Sequence, residues 1–120
     1  MKRLLIVAAL AAFSSVASAQ DVKVTLSEWK MRLSQDTVHA GTVTFQVTNT
    51  GAMSHALQVT GEGVDKGTRQ IAVREVGTLT VTLKPGTYEL FCPLAEGSHK
   101  MAGMKRTIVV TAAGSPPPAA

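Results

Sequence analysis

Apolar and polar residues alternate along most of the chain, and this period predicts short β-strands. The clearest segment is 42–48, where Val43, Phe45 and Val47 face one way and polar side chains face the other. No stretch after residue 20 keeps a helical period over three turns. The pattern therefore predicts an all-β domain, an antiparallel or mixed β-sandwich of about six to eight strands. The remaining strand segments are expected at 22–33, 36–39, 56–60, 69–76, 78–83, 87–92 and 105–111.

Three details of the pattern carry their own expectations. Trp29 continues the alternation of the first segment across a bend near residue 28, so it is predicted to plug the core. The interval 61–67 contains three glycines and is predicted to be a flexible polar loop. Gly77 is predicted to separate the weaker strand at 69–76 from the next one.

The first nineteen residues have the pattern of a secretory signal peptide. A basic start at Lys2 and Arg3 precedes an apolar run over 4–16, and Ala-Ser-Ala at 17–19 is an A-x-A cleavage pattern. The apolar run is shorter than the roughly 20 residues of a membrane-spanning helix. We therefore expect cleavage before Gln20 and an exported protein, periplasmic or extracellular and not embedded in the membrane.

The rest of the chain is predicted to form one domain at 20–112, followed by a Pro-rich, disordered tail at 113–120 that adds nothing to the core. Removing Lys2 and Arg3 with the signal peptide lowers the formal net charge from +4 to +2. That small charge, without a basic cluster interleaved with aromatics, argues against nucleic acid as a partner. The domain contains no paired carboxylates and no nucleophile–base set, so no enzymatic activity is expected.

Cys92 is the only cysteine, and it begins a segment rich in metal-binding side chains. In an exported protein a single cysteine cannot form an internal disulfide, so its thiol is buried, reactive or metal-bound. His99 and Met104 follow it between two predicted strands, and His55 lies upstream where a turn meets a strand. A thiolate, two imidazoles and a thioether form the ligand set of a blue-copper site. Each residue alone is more often structural, but together and in this order they predict one copper site.

The order His55…Cys92-x6-His99-x4-Met104 resembles that of the cupredoxin family, which includes plastocyanin and azurin. Residues 41–55 resemble the family's strand and first histidine, 85–93 its strand and cysteine, and 103–110 its axial methionine and last strand. The similarity extends from about residue 21 to residue 111. It implies a single Greek-key β-sandwich of about seven to eight strands, holding one copper ion that alternates between Cu(I) and Cu(II).

The six residues between Cys92 and His99 form a longer interval than in plastocyanin or azurin. Two methionines are therefore candidates for the axial ligand. Met104 is favoured because its distance from His99 matches plastocyanin and ends beside the last strand, and Met101 is the alternative. The resemblance also implies that the region of Asn49 supplies hydrogen bonds that hold the ligand loops.

The resemblance implies a function as an exported, monomeric type 1 copper protein that carries one electron between redox proteins. His99 would be the electron port, and transient partners would dock on a small rim around it. Three basic residues near this port are read as a solvated rim that can steer an acidic partner: Lys100, Lys105 and Arg106. The docking rim itself is expected to contain Met53, Pro93, Leu94 and Ala102.

Two other functions stay open at this point. A periplasmic copper carrier or chaperone would bind Cu(I) through histidines and methionines, namely His55, His99, Met53 and Met101. An accessory domain without a metal is the third reading. His39 fits no ligand position and is expected to be an ordinary edge or surface histidine.

Overall fold

The computed structural model describes residues 19–112, so nearly all of the predicted signal peptide and the tail at 113–120 lie outside the described residues. The described chain contains nine strands and one short helix. None of its helices has the length and apolar character needed to cross a membrane. In chain order the elements are β1 (Gln20–Ser27), β2 (Lys30–Leu33), β3 (Thr37–His39), β4 (Gly41–Asn49), β5 (Gln58–Gly61), β6 (Val64–Gly67), β7 (Val76–Leu83), β8 (Gly86–Phe91), α1 (Ser98–Met101) and β9 (Lys105–Thr111).

The strands form two sheets around one core. One sheet has the order β2-β1-β4-β7, and the other has the order β3-β9-β8-β5-β6. β1 pairs with β4 in parallel, as does β3 with β9, and the other paired strands are antiparallel. The predicted all-β sandwich is therefore confirmed in its mixed form, with one strand more than the resemblance implied.

The predicted alternation identifies the inward face of the longest strands. Val43, Phe45 and Val47 of β4 are completely buried, while Gln46 between them is exposed. The three side chains lie on one face of β4, because residues two apart on a strand point the same way. On that face they belong to a core cluster with side chains from both sheets. The largest fully buried residues around them include Leu26, Leu57, Ile71, Leu83, Tyr88, Leu90 and Ile108.

The prediction that Trp29 plugs the core is wrong. β1 and β2 form a tight hairpin in which Ser27 pairs with Lys30, so Glu28 and Trp29 are its turn. Trp29 has φ 60° and its side chain is 46% exposed. The apolar alternation continues on the far side of the turn at Met31, which is buried.

Two loop and strand assignments also differ from the prediction. The interval 61–67 is not a flexible loop but a β5–β6 hairpin, in which Gly61 pairs with Val64. Its turn residues Glu62 and Gly63 both have positive φ, 47° and 78°, as a type I′ turn requires. Conversely, residues 69–75 form no strand, since among them only Ile71 pairs, through an isolated bridge, and β7 begins at Val76 and runs through Gly77.

Candidate metal centre

Three of the four predicted ligands lie on one segment, residues 92–104, which we call the ligand loop. It joins β8 to β9 and contains α1. The backbone N–H of Cys92 donates to the carbonyl of Met104 at 3.0 Å, and the N–H of Met104 donates to that of His99 at 3.1 Å. These bonds tie the two ends of the loop together, so the three candidate ligands are held relative to one another by backbone hydrogen bonds.

His55 is held at the site by a second set of backbone bonds. Its N–H donates to the carbonyl of Ile71 at 3.1 Å, and its carbonyl accepts from the N–H of Ile71 at 2.7 Å. This two-bond bridge fixes the backbone of His55 although it lies outside the named strands. The imidazole is completely buried, as expected of a side chain aimed inward from a loop.

Asn49 connects the His55 segment to the sandwich. Its buried amide donates to the carbonyls of Met53 and Ile71 at 2.9 and 3.0 Å, and its side-chain oxygen accepts the N–H of Gly51 at 2.9 Å. The turn that precedes His55 and the segment that pairs with it are thus held by one side chain. The prediction that the Asn49 region supplies hydrogen bonds is confirmed for the segment that carries His55.

His55, Cys92 and His99 converge in one buried cluster. Their nitrogen and sulfur ligand atoms all lie within 4.8 Å of one another. The Sγ of Cys92 is 3.6 Å from Nδ1 of His99, and the two imidazole centroids are 5.2 Å apart. Zn–N and Zn–S bonds of about 2.0 and 2.3 Å give the scale of such a site. Two donors at those distances from a shared ion lie about 3.6 Å apart when their bonds open by about 115°.

The polar atoms of the cluster also fit a metal. Within the part of the chain that the structure describes, neither ring nitrogen of His55 has a hydrogen-bond partner, since Oε1 of Glu28, 3.6 Å from Nε2, is beyond hydrogen-bond distance. Buried polar groups are normally satisfied, so a completely buried imidazole without a partner fits the role of a metal ligand. Two imidazoles and one thiol at a buried site suit copper. The His55–Cys92–His99 cluster fits one copper ion.

Burial and neighbouring charge set the protonation of His55. Burial lowers the pKa of the His55 imidazole, and the nearby His99 lowers it further, while Glu28 opposes the shift. The carboxyl of Glu28 has a lowered pKa chiefly because backbone N–H groups, first its own and then that of Ala52, donate to it. A neutral imidazole is the form that binds a metal, so the lowered pKa of His55 favours binding.

The two candidate axial methionines lie in opposite environments. Met104 is completely buried in the core cluster, and its backbone bonds to both Cys92 and His99. Met101, at the end of α1, is 87% exposed. A thioether that tunes a buried ion must itself be buried, so these environments favour Met104 as the axial ligand.

Sequence reasoning missed two residues beside the cluster, both in the β1–β2 turn. The ring of Trp29 meets that of His99 edge-on, with centroids 5.3 Å apart. Oε1 of Glu28 lies 3.6 Å from Nε2 of His55. The only signal in the sequence was the break in alternation near residue 28, and a break does not show what the turn contacts.

Taken together, these features define a class: a mixed β-sandwich with a buried His-Cys-His cluster of blue-copper type at one end. The family model described as the cupredoxin-like domain matches residues 3–110. The chain therefore belongs to the cupredoxin-like family. No curated protein matches it.

Solved structures with the same fold include small copper proteins and parts of larger enzymes. A reduced auracyanin from Roseiflexus castenholzii is 21% identical with a TM-score of 0.64, and the match covers 79% of this chain and 98% of that one. Auracyanin A from Chloroflexus aurantiacus, a "blue" copper protein, is 18% identical with a TM-score of 0.61, covering 78% and 100%. A copper-containing nitrite reductase from Thermus scotoductus is 16% identical with a TM-score of 0.55, covering 82% of this chain but only 29% of the enzyme. These likenesses confirm the fold.

Proposed function

We propose that this protein is an exported type 1 copper protein that carries one electron between redox proteins. The observation that carries the proposal is the buried cluster of His55, Cys92 and His99. In this proposal those three residues hold the ion and Met104 is the weak axial ligand that tunes its potential. The fold similarity to small auracyanins over nearly their whole length supports a free-standing carrier, not an enzyme domain.

The chain's own residues supply what a one-electron carrier needs. Bonds at the base of the ligand loop and the Asn49 hydrogen bonds hold the donors in place, so a change of charge requires little rearrangement. The buried surroundings keep water away from the donors. When bound, copper supplies the reversible change between Cu(I) and Cu(II).

We place the docking surface for redox partners around His99. Its imidazole is 8% exposed and lines a surface hollow with Met53 and Leu94. Trp29 covers another edge of the same ring, so the exposed tryptophan joins the proposed rim of Met53, Pro93, Leu94 and Ala102. A second hollow beside Trp29 is lined by exposed basic residues, which favours a partner with an acidic surface. These residues are Lys30, Arg32, Lys105 and Arg106.

The visible spectrum after addition of Cu(II) tests the function. We expect one equivalent to produce an intense thiolate-to-copper band in the red, and the band to be absent in Cys92→Ser. Met101→Leu is the matched control, because its exposed side chain lies on the same loop and its loss is expected to leave the band intact. A colourless complex that survives Cys92→Ser would contradict the proposal.

A copper carrier that takes up Cu(I) is the second candidate. The observation that favours it is the exposure of Met53 and Met101, 41% and 87%, near the cluster. This function predicts that Met53→Leu and Met101→Leu together weaken Cu(I) binding at least tenfold in a competition titration. Unchanged Cu(I) affinity in that double variant would leave electron transfer as the function.

A further inference from the structure

Glu28 is an acidic residue placed behind a candidate copper ligand. Its side chain is 31% exposed, and Oε1 lies 3.6 Å from Nε2 of the completely buried His55. The carboxylate does not belong to the group of residues whose ligand atoms all lie within 4.8 Å of one another. Glu28 therefore contacts a candidate ligand without being one of the three clustered donors.

The position of the carboxylate is fixed by the backbone around it. Oε1 accepts the N–H groups of Ala52 and Met53 at 2.5 and 3.1 Å. A Cβ at Gly51 would lie 2.5 Å from the same oxygen, so the backbone of this turn fits closely against the carboxylate. The turn that precedes His55 thus holds Glu28 in place, and Glu28 in turn faces the imidazole.

The two nitrogens of a neutral imidazole have different roles, because one carries the proton and the other offers a lone pair. A carboxylate beside one nitrogen can accept its proton in a hydrogen bond and leave the other nitrogen for the metal. At 3.6 Å, Oε1 of Glu28 and Nε2 of His55 attract each other electrostatically but are not yet hydrogen-bonded. The cluster of His55 with Cys92 and His99 requires one free lone pair from His55.

We propose that Glu28 is a positioning residue that keeps the proton of His55 on Nε2, so that Nδ1 faces the copper site, and that its negative charge favours Cu(II) over Cu(I). The second half of this proposal rests on the proposed function, whereas the tautomer of His55 does not. A fixed anion near the site lowers the reduction potential, because the oxidised ion carries the larger positive charge. Partial solvent exposure of the carboxylate moderates the effect.

Glu28→Gln removes the negative charge of the side chain and keeps its size and shape. The glutamine oxygen can take the place of Oε1 opposite the loop N–H groups and Nε2 of His55, so the loop and the tautomer are expected to persist. The preference for Cu(II) over Cu(I) is expected to fall about tenfold, equal to an upward shift of about 59 mV for one electron. Glu62→Gln is the control, since it removes the same charge from an exposed turn that contacts Gly86, at the end of β8 opposite the cluster.

Two measurements decide the matter. Voltammetry of the copper protein compares Glu28→Gln with Glu62→Gln, and equal potentials in the two variants would overturn the electrostatic half. Nitrogen-15 NMR of Zn(II)-loaded protein, which is diamagnetic, reports which nitrogen of His55 carries the proton. We expect a slowly exchanging Nε2 proton in the native protein and in Glu28→Gln, and a rapidly exchanging one in Glu28→Ala.

A proton on Nδ1 in the native Zn(II) protein would overturn the positioning role. A slowly exchanging Nε2 proton in Glu28→Ala would also overturn it. The NMR experiment needs no electron transfer, so it tests Glu28 even if the copper protein shows no intense red band. Failure of the blue-copper function and failure of the positioning role are therefore distinguishable.

Discussion

Replacing Asn49 with alanine tests whether one side chain secures the His55 half of the metal centre. The change removes three side-chain hydrogen bonds, to the N–H of Gly51 and to the carbonyls of Met53 and Ile71. A hydrogen bond contributes about 1 kcal/mol net, and a buried group left unpaired costs more. The carbonyl of Ile71 still accepts the N–H of His55, so two of the three groups, the N–H of Gly51 and the carbonyl of Met53, are left without a described partner.

We therefore expect Asn49→Ala to lower the free energy of unfolding of the metal-free protein by about 3 kcal/mol. For a domain of this size, such a loss lowers the melting temperature by about 15 °C. Urea denaturation followed by circular dichroism measures the free energy, with an unchanged m-value as the sign that the two-state reading holds. Copper affinity is expected to fall at least tenfold, because the turn that carries His55 loses its anchor.

Gln46→Ala is the matched control for this experiment. Gln46 lies on the same strand as Asn49 but is exposed, so its removal is expected to cost less than about 0.5 kcal/mol. A loss below about 1 kcal/mol in Asn49→Ala would refute the hydrogen-bond reasoning. If Asn49→Ala loses the expected stability but binds copper with native affinity, Asn49 supports the fold without positioning His55.

Three further predictions follow from the site and its surroundings. Met104→Leu is expected to raise the reduction potential in voltammetry, since the axial donor that favours Cu(II) is lost, whereas exposed Met101→Leu leaves it unchanged. Gly103→Ala is expected to cost about 2 kcal/mol or more in urea denaturation, because Gly103 has φ 124° and a Cβ there would lie 2.8 Å from the carbonyl oxygen of Trp29; a near-neutral result would contradict this. The pKa of His55 is lowered from 6.5 by burial, so below about pH 6.5 the unfolded chain binds more protons than the folded one. Stability of the metal-free protein is then expected to fall with falling pH by up to about 1.4 kcal/mol per unit, and a pH-independent stability between pH 6.5 and 5 would refute it.

The fold was predictable where one face of a strand is buried and the other is not. β9 begins and ends where the alternation predicted, and β4 extends the predicted strand by one residue at each end. The hairpin at 61–67 was missed because Glu62 occupies a positive-φ position that usually favours asparagine or glycine. The alternation of apolar and polar residues predicts which face of a strand is buried. It does not predict the geometry of a turn that is stabilised by tertiary contacts.

The candidate site was predictable only as far as the chemistry of its side chains. Soft ligands in a fixed order identified His55, Cys92 and His99, which the structure brings together. The contacts of Glu28 and Trp29 were not predicted, because the alternation of apolar residues predicted one continuous strand segment where the chain forms a turn. Their positions depend on a hairpin turn in which Trp29 has a left-handed backbone conformation. No sequence signature predicts this, since positive φ is uncommon for bulky residues.

The paired backbone bonds at the base of the ligand loop have a consequence for how this family of sites can diversify. Cys92, His99 and Met104 are joined through Met104 itself, so the residues between Cys92 and His99 form a closed insert on a fixed base. Doubling the length of such an insert costs only about 0.6 kcal/mol of chain entropy. We therefore expect that sequence grafted between Cys92 and His99 changes the surface that a partner meets, while the backbone bonds among Cys92, His99 and Met104 keep the donors in place.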